Sequence, residues 1–215
     1  MDIFKTINNL NKKIDDMDKL FTPTTSNISF NDFSSFCVAS GYNKPFPKQL
    51  EMVTHCNKDG VNLLLASRGY GKTDYIVILN TVFRFIHNKQ QTTLIITKEE
   101  KRGLQILDTI ESLLLYHGIP YYKKGSIIKD IDNIKKEANI KVLSASTKGL
   151  RGNHPNNIIV DDLITPETVS FRDRELAYRT YNELKSLTPN ITLIGQPVHK
   201  SDLYSTLRIL KDVNV

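Results

Sequence analysis

From Val61 the chain reads VNLLLASRGYGKTDYIVILNTVF, and this one stretch restricts the fold more than any other. Val61, Leu63, Leu64 and Leu65 give the short apolar block of a buried strand, and Asp74 to Phe85 has the apolar spacing of a packed helix. Between them lies a turn of small and glycine residues. An apolar strand that turns tightly into a helix is the unit from which parallel sheets covered by helices are built.

The turn carries its own chemistry. In the phosphate-binding loop pattern, a glycine is followed four residues later by Gly-Lys-Ser/Thr, so that backbone N–H groups and the helix N-terminus face the phosphates. Gly71, Lys72 and Thr73 fit this pattern, while Ala66 stands where the opening glycine is usual. Ala66, Ser67, Arg68, Gly69, Tyr70, Gly71, Lys72 and Thr73 are therefore expected to bind the phosphates of a nucleotide, which the resemblance given below makes ATP. Lys72 would reach the β- and γ-phosphates, and the Thr73 hydroxyl would bind Mg2+. The competing reading is an ordinary strand-turn-helix junction.

A second segment turns nucleotide binding into hydrolysis. Asn157-Ile158-Ile159-Val160-Asp161-Asp162 is a short buried strand ending in two carboxylates, the arrangement that brings an acid to the metal across from the loop. Asp161 is the expected metal-side acid, together with Thr73. Asp162 is expected to position or deprotonate the attacking water. Because Asp is a methylene shorter than the usual Glu, Glu167 is the alternative, and a third reading leaves Asp162 capping a loop.

Twenty-nine Lys and Arg against 23 Asp and Glu give a net charge of +6, which favours an anionic partner without demanding one. The two cysteines, Cys37 and Cys56, have no metal-ligand or disulfide-framework spacing and read as small core residues. No signal-peptide core and no run of about 20 apolar residues occurs, so the expected protein is soluble and intracellular, with no membrane partner.

Residues 1–20 have amphipathic helical spacing, Thr22 to Asn31 reads as a loop, and a helix is expected over Asn31 to Ala39. Residues 1–44 are thus read as an N-terminal helical appendage and 45–215 as the ATPase domain. Pro45 and Pro47 lead into a helix over Lys48 to Thr54, on which Gln49 reads either as a solvated residue or as a base-edge contact. Thr92 to Thr97 reads as a strand and Glu99 to His117 as a helix with Leu104, Leu107, Ile110, Leu113 and Leu114 inward. Strands are expected at Ile127-Ile128 and Ile140 to Leu143, within a region whose lysines read as a solvated face rather than a nucleic-acid track. A helix capped by Ser170 and Asp173, a strand over Asn190 to Ile194 and a polar turn carrying Gln196 complete the pattern. Strands alternating with helices predict an α/β fold with a mostly parallel central sheet flanked by helices on both faces. Gln196 sits where such sheets place ligand groups.

In this order the pieces resemble the ATPase domain of the large terminase subunit, the DNA-packaging motor of tailed bacteriophages, in its short-tailed-phage form. The resemblance runs from about Pro45 to Tyr204. It is carried by the variant loop Ala66 to Thr73 with Arg68 inside it, by Leu150-Arg151-Gly152 before the acidic strand, and by Gly195 to Tyr204 at the family's coupling motif. It implies a P-loop NTPase of the additional-strand type that couples ATP hydrolysis to translocation of double-stranded DNA into a procapsid. The implied partners are the DNA, the portal protein and the small terminase subunit. The implied assembly is a homo-oligomeric ring, usually a pentamer, against a monomer in isolation, working in the host cytoplasm and transiently at the portal. On this basis Gln49 contacts adenine, Arg68 senses the γ-phosphate or stabilises charge in cis, and Arg151 is offered to a neighbouring subunit's ATP.

Two departures stand out: Asp162 in place of the family's frequent Glu, and Gln196 where Thr is common. The family's RNase-H-like nuclease has no counterpart here, so no nuclease activity is expected. The chain is expected to be either an isolated ATPase domain or the product of a gene whose nuclease lies elsewhere. Competing readings are a helicase-like translocase, a non-catalytic nucleotide-binding assembly module, and, more distantly, a nucleotide or metabolite kinase.

Overall fold

In a computed structural model, the described residues are 32–133, 138–146, 150, 152–164 and 170–215. The expected helix over 1–20, the loop at 22–31, Lys135, Lys136, Arg151 and Glu167 lie outside them. Helices α1 (Phe33–Ala39) and α2 (Pro47–Cys56) precede strand β1 (Val61–Leu65). A helix beginning with π-type pitch (Lys72–Leu79) continues as α3 (Asn80–His87), followed by β2 (Thr93–Thr97) and α4 (Glu100–Tyr116). The hairpin β3 (Tyr121–Lys124) and β4 (Ile127–Asp130) leads through a short 3-10 turn to β5 (Ile140–Ser144). The chain closes with β6 (Asn157–Asp161), α5 (Phe171–Lys185), β7 (Ile191–Gly195), α6 (Leu203–Leu207) and β8 (Val213–Asn214).

The strands form one sheet in the order β3-β4-β5-β2-β6-β7-β1-β8. Neighbours pair parallel from β5 through β8, whereas β3 with β4 and β4 with β5 are antiparallel. Because successive strand residues face opposite sides, the core divides by alternation. Leu64, Ile95 and Ile159 join one apolar cluster with residues of α1 to α4, and Leu63, Leu94, Ile96, Ile158 and Val160 join another with residues of α5 and α6. Helices therefore cover both faces. Phe36 and Cys37 of α1 are fully buried in the first cluster, and burying a Phe side chain contributes roughly 1.5–3 kcal/mol.

Local chemistry fixes the helix ends. The Phe46 N–H donates to Gln49 Oε1 at 2.9 Å, so α2 starts with Pro47 at its first position and Gln49 satisfying an otherwise orphaned donor. Ser170 caps α5, its hydroxyl accepting from the Asp173 N–H at 3.2 Å. In α4 the inward positions are Ile106, Leu107, Ile110, Leu113 and Leu114, while Leu104, expected inside, is exposed. Gly103 takes the close-packed place instead, since a Cβ there would lie 2.4 Å from Val142 Cγ1.

The helix after the loop begins at Lys72, two residues earlier than expected, and its first eight residues are π-helical. Gly71, at φ 70°, supplies the left-handed turn into it. β3, α6 and β8 were not legible from periodicity: β3 alternates half-buried and exposed, and the other two are very short. Lys123 of β3 is half-buried and paired with Asp108 at 2.7 Å and with Glu111.

Candidate active site

Every expected site residue within the described set gathers at the carboxyl edge of the sheet. The loop 66–71 leaves the end of β1, Asp161 and Asp162 the end of β6, and Gln196 the end of β7. β7 lies between the other two strands, with Leu64 opposite Ile194 and Asp161 also opposite Ile194. This register brings loop and acids together although 88 positions separate Thr73 from Asp161. The Thr73 hydroxyl donates to Asp161 Oδ2 at 3.0 Å.

The loop is braced from within and from two sides. Lys72, 7% exposed, donates from Nζ to the carbonyls of Ala66 (2.7 Å) and Ser67 (2.9 Å). Gln196 Nε2 donates to the same Ala66 carbonyl at 3.2 Å. From α2, Gln49 Nε2 donates to the Tyr70 carbonyl at 3.1 Å. Gln49 is buried rather than solvated, because its amide is consumed by a helix start on one end and by the loop on the other. Gly69 (φ 87°) and Gly71 (φ 70°) carry the left-handed conformations of the loop. A Cβ on Gly71 would come within 2.8 Å of the Tyr75 ring and 3.3 Å of Gln49 Nε2. Ser67, Arg68, Gly69 and Tyr70 are exposed at the tip.

The two carboxylates differ in environment. Asp161 is buried, and burial together with the Asp162 charge pushes its pKa up to about 6, against the Thr73 bond and the charges of Arg102 and Lys72. Its Oδ1 is buried without a hydrogen-bond partner among the described residues. An orphaned buried acceptor beside a threonine hydroxyl suits a hard divalent cation of the Mg2+ kind, which binds oxygen ligands and is usually held by one or two carboxylates. Asp162 leaves the strand at φ 45°, the only non-glycine residue with positive φ among those described. Asp tolerates this conformation at modest cost. Burial raises its pKa, and Lys72, Arg68 and Arg102 pull it down.

One contributor escaped sequence reasoning, and a second entered it only as the last residue of the Gly195 to Tyr204 stretch, with no role of its own. Arg102, in the first turn of α4, acts on both acids, since β2 sits beside β6 with Thr97 opposite Asp161. In sequence it is one more surface charge on an amphipathic helix. Tyr204 is fully buried, its hydroxyl accepting from the Leu163 N–H at 3.0 Å and donating to the Ile194 carbonyl at 3.2 Å. It thereby ties the segment after the acids to the end of β7. Gly195 makes room for it, because a Cβ there would lie 2.4 Å from the ring.

A cavity of about 1140 Å3 opens beside the loop, lined by Pro47, Glu51, Leu65, Ala66, Ser67 and Tyr70 among others. Lys72, Thr73 and Asp161 do not line it, so it flanks the opening half of the loop rather than the acids. Among the described residues no cluster of three or more His, Cys, Asp or Glu is placed to hold a metal. No helix among them is long and apolar enough to cross a membrane.

No protein-family model matches the sequence, and no curated protein matches it. Solved structures do. The chain is similar to a point-mutant form of the large terminase ATPase domain of Thermus phage P74-26, at TM-score 0.55 and 14% identity over 80% of this chain and 72% of that one. It is similar to the N-terminal domain of the DNA-packaging ATPase of bacteriophage phi29, at TM-score 0.51 and 10% identity over 76% and 91% of the two chains. It is also similar to a chain of the bacteriophage phi29 viral genome packaging motor assembly, at TM-score 0.54 and 12% identity over 79% of this chain and 56% of that one. At such identities these likenesses show the fold, a mixed α/β sheet with helices.

Proposed function

We propose that this chain is the ATPase domain of a viral genome-packaging motor, coupling ATP hydrolysis to movement of double-stranded DNA into a procapsid. The observation that carries the reading is the 3.0 Å bond between Thr73 and Asp161, which joins the phosphate loop to the acidic strand on a fold shared with packaging ATPases. The place of β7 between the loop strand and the acidic strand supports the additional-strand type. Residues 45–215 form the ATPase unit in this reading, with 1–44 a helical appendage whose α1 is seated on the core.

In the mechanism we infer, the N–H groups of the loop 67–73 cradle the phosphates of ATP and Lys72 neutralises them. Thr73 and Asp161 would hold Mg2+, which when bound offsets charge on the phosphate oxygens. Asp162 orients the attacking water and accepts its proton, with Glu167 as the alternative acid. Arg68, whose charge already acts on Asp162, stabilises the transferring phosphoryl group in cis, and Arg151 does so for a neighbouring subunit. Gln49 retains a second N–H for the base, and the cavity beside Ala66 and Tyr70 accommodates base and ribose. Gln196, bonded to the loop carbonyl, passes loop movement to β7 and through Tyr204 to the acidic segment.

The partners in this reading are duplex DNA, the portal and the small terminase subunit, around a ring, usually of five copies, in the host cytoplasm. One observation favours a second reading, a nucleotide-binding assembly module: Asp162 is short and leaves the strand in a left-handed conformation. Steady-state ATP hydrolysis across protein concentration, with and without duplex DNA, decides between them. Turnover that rises more than linearly with concentration, is stimulated by duplex and vanishes in Lys72→Ala is the expected result. Nucleotide binding with no turnover under any of these conditions would leave the module reading in its place.

A further inference from the structure

The amino edge of the sheet, opposite the nucleotide site, holds a half-buried charge that the mechanism does not use. Arg84, on α3, donates from Nε to Gln91 Oε1 (3.0 Å), from one terminal nitrogen to Asn57 Oδ1 (3.0 Å) and from the other to Asn157 Oδ1 (2.7 Å). All three acceptors are neutral amides. A guanidinium has five N–H donors, so two have no protein partner among the described residues. Burial lowers the Arg84 pKa, and no carboxylate opposes it.

Arg84 lines a cavity of about 110 Å3 whose walls are almost wholly polar, including Asn62, Gln91, Asn157 and Asn190. Asn62 and Asn157 are themselves buried, at 1% and 8% exposure. Among the described residues the only carboxylate in the walls is Asp59, which is exposed and sits next to exposed Lys58; the two cancel, leaving the guanidinium as the net charge. Because a water's share of volume is about 30 Å3, the space holds three or four waters, or one tetrahedral oxyanion. A half-buried arginine whose protein partners are all neutral amides has N–H donors and charge to offer an anion with several acceptor oxygens, and its planar fork suits a phosphate.

We infer that the Arg84 cavity is a phosphate-group site, distinct from the nucleotide loop, with Arg84 as the binding cation and the surrounding amides as donors. Its ligand is either free phosphate or a backbone phosphodiester of nucleic acid. The inference does not depend on the packaging function. A five-residue strand spans roughly 15 Å, which separates this edge from the acids.

The test uses the full chain and two probes, inorganic phosphate and a short DNA duplex. Thermal unfolding is followed against phosphate at constant ionic strength, in wild type, Lys72→Ala, Arg84→Gln and Asn57→Asp. Lys72→Ala weakens the other anion site by removing its cation. Asn57→Asp gives up the donation from Asn57 to Asn80 Oδ1 (3.3 Å) but keeps the oxygen that accepts from Asn80 and Arg84 and places a carboxylate against the guanidinium, so it should stay folded at some cost in Tm while excluding the ligand; it decides the matter if Arg84→Gln does not fold. Phosphate should raise Tm in wild type and in Lys72→Ala, with the apparent affinity falling roughly tenfold or more in the other two. If duplex binding in Asn57→Asp also loses about one unit of salt-dependence slope, the natural ligand is a backbone phosphodiester. An unchanged slope assigns the site to free phosphate. The inference is overturned if Asn57→Asp responds to phosphate like wild type, or if the whole phosphate effect disappears in Lys72→Ala.

Discussion

Replacing Tyr204 by Phe removes a single oxygen from a ring that is otherwise unchanged. That oxygen is buried and makes two bonds, from the Leu163 N–H at 3.0 Å and to the Ile194 carbonyl at 3.2 Å. The variant therefore leaves the buried Leu163 N–H without its partner, at about 1–3 kcal/mol, and forfeits the Ile194 bond, worth about 1 kcal/mol net. The expected loss is about 2–4 kcal/mol. With an m-value near 2 kcal/mol/M in urea, typical of small domains, the unfolding midpoint should fall by about 1–2 M with m unchanged. Both bonds lie beside the acids, so ATP turnover should fall along with stability, whereas the packing of the ring against Gly195 is untouched. A midpoint shift corresponding to under about 0.5 kcal/mol would refute the reasoning, because it would mean that water or relaxation satisfies the Leu163 N–H at no cost.

Gly71→Ala combines a left-handed backbone with a Cβ 2.8 Å from the Tyr75 ring; it should destabilise by about 1–3 kcal/mol and abolish nucleotide binding, read by fluorescent-nucleotide titration. Gly195→Ala should cost about as much by displacing Tyr204, checked by the same urea unfolding. Arg102→Gln removes a cation acting on both acids and should lower turnover while leaving the unfolding midpoint close to that of wild type; an unchanged rate would remove it from the site. His117 is buried, donates or accepts at 2.8 Å with Ser40 Oγ, and has its pKa lowered by burial from 6.5. A depressed histidine binds more protons when unfolded, so stability is present above pH 6.5 and falls as pH drops below it. His117→Gln should flatten that part of the stability curve, measured by unfolding between pH 8 and pH 5.

The glycine-rich loop, the acidic strand and the α/β alternation were legible in the sequence because each rests on local pattern: an apolar block, a glycine turn, carboxylates at a strand end. The sheet order was not, because strand neighbours are chosen by packing and crossover connections rather than by any one segment. That order, with β7 between β1 and β6, sets Thr73 against Asp161 and puts Gln196 on the Ala66 carbonyl. Gln49 shows the same division. Its side chain is polar and its neighbours in sequence are ordinary, yet the loop folding back over α2 buries it as a brace. Arg84 and Arg102, and the role of the Tyr204 hydroxyl, were invisible for the reason that their partners lie on other elements, so charge or hydroxyl acquires meaning only when the sheet closes around it. Sequence determined which chemistry the chain carries; tertiary structure decided which groups meet, since burial and opposition across strands are properties of the assembled sheet.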